Sequence, residues 1–137
     1  MPSPVRLVVE DPPDPDDLAL LEAAVEAAAG AGDAREFAVL ARDEHARMVA
    51  GVSALVWGRC CELQAMWVDP PLRGRGTARA LMAAAEAEAR RRGCGVVLLQ
   101  AYDLVAAGLY GRLGYETVAV VEGCPDGSAR RWFRKVL

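Results

Sequence analysis

Long apolar runs are missing from this chain of 137 residues. None of its apolar stretches approaches the roughly 18 consecutive residues that a membrane-spanning helix needs. The start, MPSPVRLVVEDPPDPDD, also lacks the basic region followed by an apolar region that marks a secretory signal. We therefore expect no membrane partner and a cytoplasmic location.

Metal ligands are scarce as well. His45 is the single histidine, and the four cysteines include no C-x-x-C pair. A structural zinc site needs several thiols or imidazoles at suitable spacing. We therefore expect no metal site, and we expect reduced thiols that fill the core.

An excess of basic residues is absent too, since the net charge is -3. Proteins that bind nucleic acid over a broad surface usually carry a positive balance, so no nucleic-acid partner is expected. The chain is 53% hydrophobic and 26% charged, which is ordinary for a globular protein. Its length predicts a single domain, residues 1–137, with a sizeable core.

Apolar periodicity divides the chain into alternating strands and helices. Strands are predicted at residues 5–10, 36–43, 48–57, 60–68, 95–102, 115–121 and 130–136. Helices are predicted at residues 17–29, 77–92 and 106–113. This order predicts an α/β fold (α+β in some schemes) with a mixed central sheet of about seven strands flanked by helices. The sheet should be antiparallel early and parallel where the long helix crosses over. The nearly all-apolar run GVVLLQAY, residues 95–102, predicts a strand buried on both faces, and the periodicity of the long helix places Glu86 off its apolar face.

The segment RGRGTA, residues 73–78, joins a predicted strand to that long helix. A helix that starts near Thr77 leaves its first N–H groups unpaired and carries partial positive charge, so it attracts phosphate. Gly74 and Gly76 keep the backbone accessible, and Arg73 and Arg75 add formal charge. The alternative is a glycine-rich turn whose arginines only face solvent.

Two common phosphate loops do not match this segment. A Walker loop requires a lysine followed by serine or threonine, and the segment contains no lysine. A dinucleotide fingerprint would require a third glycine where Arg79 stands. What remains is a strand followed by R-G-x-G-x-A at the start of a helix.

Two segments together resemble the GNAT superfamily of N-acetyltransferases, in that family's order and spacing. The first, MWVDPPLRGRGTARALMAAAEAEARRRG, is similar to the acyl-CoA signature R/Q-x-x-G-x-G/A at Arg73, Gly76 and Ala78. The second, AAGLYGRLGYE, is similar to A-x-x-L-Y-x-x-x-G-[FY] at Ala106, Leu109, Tyr110, Gly114 and Tyr115. The resemblance extends over nearly the whole chain.

This resemblance implies a GNAT-like three-layer fold in which a splayed strand pair holds acyl-CoA, with acetyl-CoA as co-substrate. The pantetheine would run beside Met66, Trp67 and Val68, and the backbone amides from Gly74 to Ala78 would hold the pyrophosphate. Asp103 stands where the family frequently has asparagine. It would accept a hydrogen bond from pantetheine, contact a cationic acceptor or cap the following helix. The implied cofactor-binding set is Met66, Trp67, Val68, Arg73, Gly74, Arg75, Gly76, Thr77, Ala78, Asp103 and Tyr110.

The implied activity is that of an acyltransferase, in which an amine attacks the thioester directly in a ternary complex. An alkyl amine with a pKa near 10.4 is neutral in only about 0.04% of molecules at pH 7, so a base is needed. By the resemblance, Glu62 is the candidate base, with Gln64 on the same strand face to order a water, and Tyr110 would face the sulfur. The alternatives are a solvated strand face for Glu62 and an aromatic packing role for Tyr110.

The acceptor implied by the resemblance is an amine of a small molecule or peptide. Acceptor-side candidates are Trp57, Tyr102 and residues 122–127. A non-catalytic acyl-CoA-binding module of the same fold is the alternative function, although Glu62 and Tyr110 count against it. An RNA-acetylating toxin is disfavoured by the acidic balance. The oligomeric state stays open, a homodimer included.

Overall fold

The structure, a computed structural model, describes residues 3–30, 34–102 and 104–137. The chain divides into two compact units, Met1–Gly32 and Asp33–Leu137. No helix within the described ranges is both long and apolar enough to cross a bilayer.

The first unit contains helix α1, Pro15–Ala28. Asp14 caps it, because its carboxylate accepts a 2.8 Å hydrogen bond from the Asp16 amide, and proline is favoured at the first helical position. The helix therefore begins two residues earlier than predicted. The strand predicted at residues 5–10 is wrong, since those residues have no regular secondary structure. Their apolar pattern favours an extended backbone, but a strand also needs a hydrogen-bonded neighbour.

The second unit is built on a six-stranded sheet rather than one of about seven strands. Its strands are β1 Arg35–Arg42, β2 Met48–Trp57, β3 Cys60–Val68, β4 Val96–Ala101, β5 Glu116–Glu122 and β6 Ala129–Val136. Their order across the sheet is β1-β2-β3-β4-β6-β5. The first three strands pair antiparallel and β3 pairs parallel with β4, so the predicted mixed sheet is confirmed.

Two helices complete this unit, α2 (Thr77–Arg91) between β3 and β4 and α3 (Leu104–Arg112) between β4 and β5. Both pack on the same sheet face, here called the helix face. The buried core there joins α2 and α3 side chains to alternate strand residues: Val52, Leu63, Met82, Leu99, Tyr110 and Phe133. The strand residues between them point to the other side, here called the second face.

Two details of burial differ from the sequence predictions. β4 is fully buried on the helix face alone, at Val97 and Leu99, whereas Leu98 is half-buried and Gln100 is exposed. The predicted burial of β4 on both faces is therefore wrong. Glu86, assigned from the pattern to the polar side of α2, is also buried, at 7% exposure.

Candidate active site

β3 and β4 part at one end. Their parallel pairing runs from Cys60–Val96 to Leu63–Leu99 and stops there, although β3 continues to Val68 and β4 to Ala101. The structure thus contains the predicted splayed strand pair. Beyond Leu63, the edge of β3 that faces β4 is available to hydrogen-bond something other than a strand.

A bulge on the opposite edge of β3 accompanies this parting. Ser53 pairs with Ala65 but Ala54 pairs with Leu63, so Gln64 is an extra residue in the β2–β3 ladder. The alternation of burial along β3 breaks at the same point, where Gln64 and Ala65 are both exposed. Because a bulge bends its strand, it accounts for the separation of β3 from β4. Strict alternation along β3 did not predict this bulge.

The RGRGTA loop lies at the parted end of β3, after a short 3-10 turn, Pro70–Leu72. The Arg73 Nε donates a 2.9 Å hydrogen bond to the Val68 carbonyl, which ties the loop to the strand end. Gly74 and Gly76 have φ angles of 75° and 80°, a left-handed backbone that favours glycine. A Cβ at either position would meet no protein atom within 4 Å, so protein packing does not require these glycines.

Gly76 is also the N-cap of α2, and as a glycine it makes no side-chain hydrogen bond to the helix start. The first-turn amides of α2 therefore retain the partial positive charge of a helix N-terminus. Arg73 and Arg79 lie within three residues of Gly76 on either side. This end of the helix is suited to an anion.

A cavity of about 620 Å³ connects the loop, the end of β3 and α3. It brings together nine of the predicted cofactor residues: Met66, Trp67, Val68, Arg73, Gly74, Gly76, Thr77, Ala78 and Tyr110. The cavity-lining set does not include Arg75, and Asp103 lies outside the described residues. Arg79 and Arg112 line the cavity although the motifs did not indicate them. The sequence could have indicated these two arginines through their positions, in the first turn of α2 and at the end of α3.

Tyr110 lies between this cavity and the gap in the sheet. Its ring packs 5.9 Å from Tyr115 and 5.6 Å from Phe133, and the residue is 8% exposed. It also lines a small cavity of about 40 Å³, together with Gln64 and Gln100 from the parted strands. Burial raises the pKa of the Tyr110 hydroxyl, so that hydroxyl stays protonated near neutral pH and can donate a hydrogen bond.

Tyr115, the last residue of the second motif, connects this region to α2. Its hydroxyl donates a 2.9 Å hydrogen bond to Glu86, whose carboxylate also lies 2.9 Å from the Lys135 ammonium. Burial is the main cause that raises the pKa of Tyr115, and the Glu86 hydrogen bond adds to it. The cluster links the helix that follows the glycine loop to β6 and to the chain just after α3.

Glu62 and Tyr110 approach the gap from different sides of the sheet. Glu62 pairs with Leu98 on the second face and is half-buried, one residue before the last β3–β4 pair. Gln64 follows on the same face at the bulge and is exposed. Tyr110 comes from the helix face. An amine near the gap can therefore meet a carboxylate on one side and a phenol on the other.

The acceptor-side candidates lie at different ends of the sheet. Trp57 pairs with Cys60, at the end away from the gap. Tyr102 follows β4 at the parted end, is 58% exposed and accepts a 2.8 Å hydrogen bond at its carbonyl from the Ser128 hydroxyl. Residues 122–127 begin at the end of β5, and Glu122, Gly123 and Gly127 help to line a separate hollow of about 410 Å³.

Metal ligands do not cluster in the part of the chain that the structure describes, where no group of three or more such side chains could hold an ion. The four cysteines are free thiols. Burial raises the pKa of Cys61 to about 11, so that thiol is protonated at neutral pH.

Comparison with known proteins gives consistent matches. The acetyltransferase (GNAT) family model matches residues 5–115. Blasticidin-S acetyltransferase of Streptomyces morookaense is 33% identical over 92 residues, which cover 66% of this chain and 68% of that protein. A crystal structure from Agrobacterium tumefaciens matches with a TM-score of 0.88 at 25% identity, over 97% of this chain and 100% of that one. An acetyltransferase structure from Bacillus cereus has a TM-score of 0.81 at 21% identity, over 96% and 98% of the two chains, and shares the fold.

Proposed function

Because the chain belongs to the acetyltransferase (GNAT) family and is an acyltransferase, we propose that it transfers an acetyl group from acetyl-CoA to an amine. The acceptor is a small molecule or a peptide, and its amine attacks the thioester directly while both substrates are bound. The naming of the Streptomyces morookaense relative as an acetyltransferase of blasticidin S supports a small-molecule acceptor.

The observation that carries this proposal is the cavity that joins the parted end of β3 to the glycine loop. The edge of β3 from Met66 to Val68, where the Val68 carbonyl already accepts a hydrogen bond from Arg73, offers backbone groups to the pantetheine amides. The start of α2 offers amides to the pyrophosphate. Arg73, Arg79 and Arg112 supply positive charge around the same cavity. In this arrangement the thioester would lie near Tyr110, at the gap.

Glu62 is proposed as the general base. The incoming amine must lose a proton, and Glu62 lies on the second face close to the gap. Gln64 lies between Glu62 and the open end of the gap on that face, where its amide can orient a water that relays the proton. Glu62 would then hold the proton after the amine nitrogen bonds to the acetyl carbon.

Tyr110 is proposed to stabilise the departing CoA thiolate. A hydroxyl whose pKa is raised by burial is a weak acid, so it donates a hydrogen bond to developing negative charge without early proton transfer. Its packing against Tyr115 and Phe133 fixes the ring, which lowers the entropic cost of that hydrogen bond.

An acceptor screen tests the proposed function. Acetyl-CoA is incubated with the protein and with polyamines, aminoglycosides, amino acids or peptides, and free thiol release and the mass of the acetylated product are both recorded. The proposal predicts thiol release coupled to acetylation of one class of amine. Acetyl-CoA binding without acetylation of any amine would instead indicate a non-catalytic acyl-CoA-binding module.

A further inference from the structure

Arg130, on β6, has an incomplete set of hydrogen bonds. Its Nε is buried and has no hydrogen-bond partner among the described residues. Arginine stays charged and can only donate, so a buried guanidinium N–H without an acceptor is costly. The other two arginines of β6 have different surroundings. Arg134 donates a 2.7 Å hydrogen bond to Glu116, and Arg131 points to the helix face.

The sheet register places Arg130 on the second face at the parted end. Gln100 pairs with Trp132, so these two residues share that face, and Arg130 lies two residues further along β6. The Arg130 guanidinium lies 5.8 Å from the centre of the Tyr102 ring. Standard strand spacings put the Arg130 backbone roughly 8 Å from the Gln100 backbone. Gln100 is one of the residues that line the small cavity at the gap.

The second face therefore carries opposite charges on the two sides of the gap. The Glu62 carboxylate lies on one side of the gap, and the Arg130 guanidinium lies beyond Gln100 on the other side. A molecule that places an ammonium near the gap and a carboxylate on the Arg130 side of Gln100 would complement both groups. The planar guanidinium binds carboxylates in a bidentate manner, and Tyr102 beneath it limits its movement.

We propose that Arg130 is a specificity-determining residue that binds a carboxylate of the acceptor, so that the acceptors are amines that also carry a carboxylate. This proposal rests on the proposed function, since it assigns the acceptor class for the same acetyl transfer. In the complex, the carboxylate accepts hydrogen bonds from the guanidinium N–H groups. The amine then reaches the gap between Glu62 and Tyr110.

The test compares 6-aminohexanoate with 6-aminohexanamide, a pair that differs in charge at the end remote from the amine. Initial rates with acetyl-CoA give kcat and KM for each. The unmodified protein should favour the carboxylate by roughly 10- to 150-fold in kcat/KM, as expected for hydrogen bonds to a charged group. The preference should reside mainly in KM, because the carboxylate is bound equally before and during acyl transfer.

Arg130→Gln should remove this preference by raising KM for 6-aminohexanoate while leaving both constants for 6-aminohexanamide within a few-fold. Arg130→Lys should retain part of it. Arg131→Gln, the same change in the adjacent residue on the opposite face, is the matched control and should keep the full preference. The ratio of kcat/KM for the two substrates is measured on one preparation of each variant. Differences in the fraction of folded protein therefore do not change that ratio.

The outcomes separate two failures. Acetylation of no amine in the whole screen would overturn the proposed function itself. If other amines are acetylated, the carboxylate assignment alone is overturned by any of three results: equal use of the pair by the unmodified protein, use of neither member, or equal loss of preference in Arg130→Gln and Arg131→Gln.

Discussion

Arg73 shows how far single residues could be read from the sequence. Its place before two glycines predicted a loop at a helix start, and the structure has such a loop with Gly74 and Gly76 in left-handed backbone. That this loop binds an anion stays a prediction. The hydrogen bond from Arg73 to the Val68 carbonyl was not predictable, because it depends on how the loop returns to the strand end. Arg130 was overlooked for a similar reason, since its orphaned Nε depends on contacts between distant segments.

Glu62→Gln tests the general base. It should lower kcat by roughly 10²- to 10⁴-fold at pH 7, because the amide keeps the shape but cannot take up a proton. The deficit should shrink as the pH rises towards the pKa of the amine, where the acceptor deprotonates without help. Steady-state kinetics over a pH series would measure this. Glu36→Gln, an exposed change on β1, is the control, and an unaltered rate in Glu62→Gln would assign Glu62 to a solvated strand face.

Tyr110→Phe tests the stabilisation of the leaving group. Loss of one hydrogen bond to a developing thiolate should slow turnover by roughly 10- to 150-fold and leave acetyl-CoA affinity within a few-fold. Because burial raises the pKa of Tyr110, activity should persist as the pH rises until the range of unperturbed tyrosine has been passed. Tyr115→Phe makes the same change in the neighbouring ring and should preserve kcat. Wild-type turnover in Tyr110→Phe would leave Tyr110 with a packing role alone.

At the scale of elements, local patterns predicted most of the second unit. The limits of β2 and β3 match the predicted residues 48–57 and 60–68, because turn residues and apolar runs mark them. The bulge at Gln64 was missed, since a ladder offset depends on both strands and leaves no local signal. The strand predicted at residues 5–10 was wrong for a related reason. Whether a segment pairs with a neighbouring strand cannot be read from that segment alone.

Glu86→Ala tests how α2 is held. It leaves the Lys135 ammonium and the Tyr115 hydroxyl without their shared carboxylate in a largely buried site, so unfolding free energy should fall by about 3 kcal/mol. Urea unfolding followed by circular dichroism would measure the loss. Glu88→Ala, on the same helix but paired with the exposed Arg91 and the part-buried Arg92, should cost less. Equal losses in the two variants would show that the Glu86 cluster has no special role in stability.

At the scale of the whole molecule, the candidate site combines segments that are far apart in sequence. The glycine loop, the bulge and Tyr110 come from β3, α2 and α3 and border two cavities that share Tyr110. Arg130 comes from β6, which the non-sequential sheet order places next to β4. Parallel pairing of β3 with β4 across α2 was predictable from the helix between them. The placement of β6 between β4 and β5, which brings Arg130 beside Tyr102, required the structure.

The loop at the start of α2 is proposed to hold the pyrophosphate of acetyl-CoA beside the parted strands. Calorimetric titration with acetyl-CoA and with S-acetylpantetheine, which lacks every phosphate, tests this proposal most directly. Acetyl-CoA should bind at least about tenfold more tightly, the effect of one charge-assisted hydrogen bond or more. Gly76→Val should abolish the difference, because a β-branched residue strains a left-handed backbone where phosphate must approach. Gly58→Val, at an equally open left-handed glycine in the β2–β3 turn, should retain it. Equal affinity of the unmodified protein for the two ligands would show that the loop does not hold the pyrophosphate.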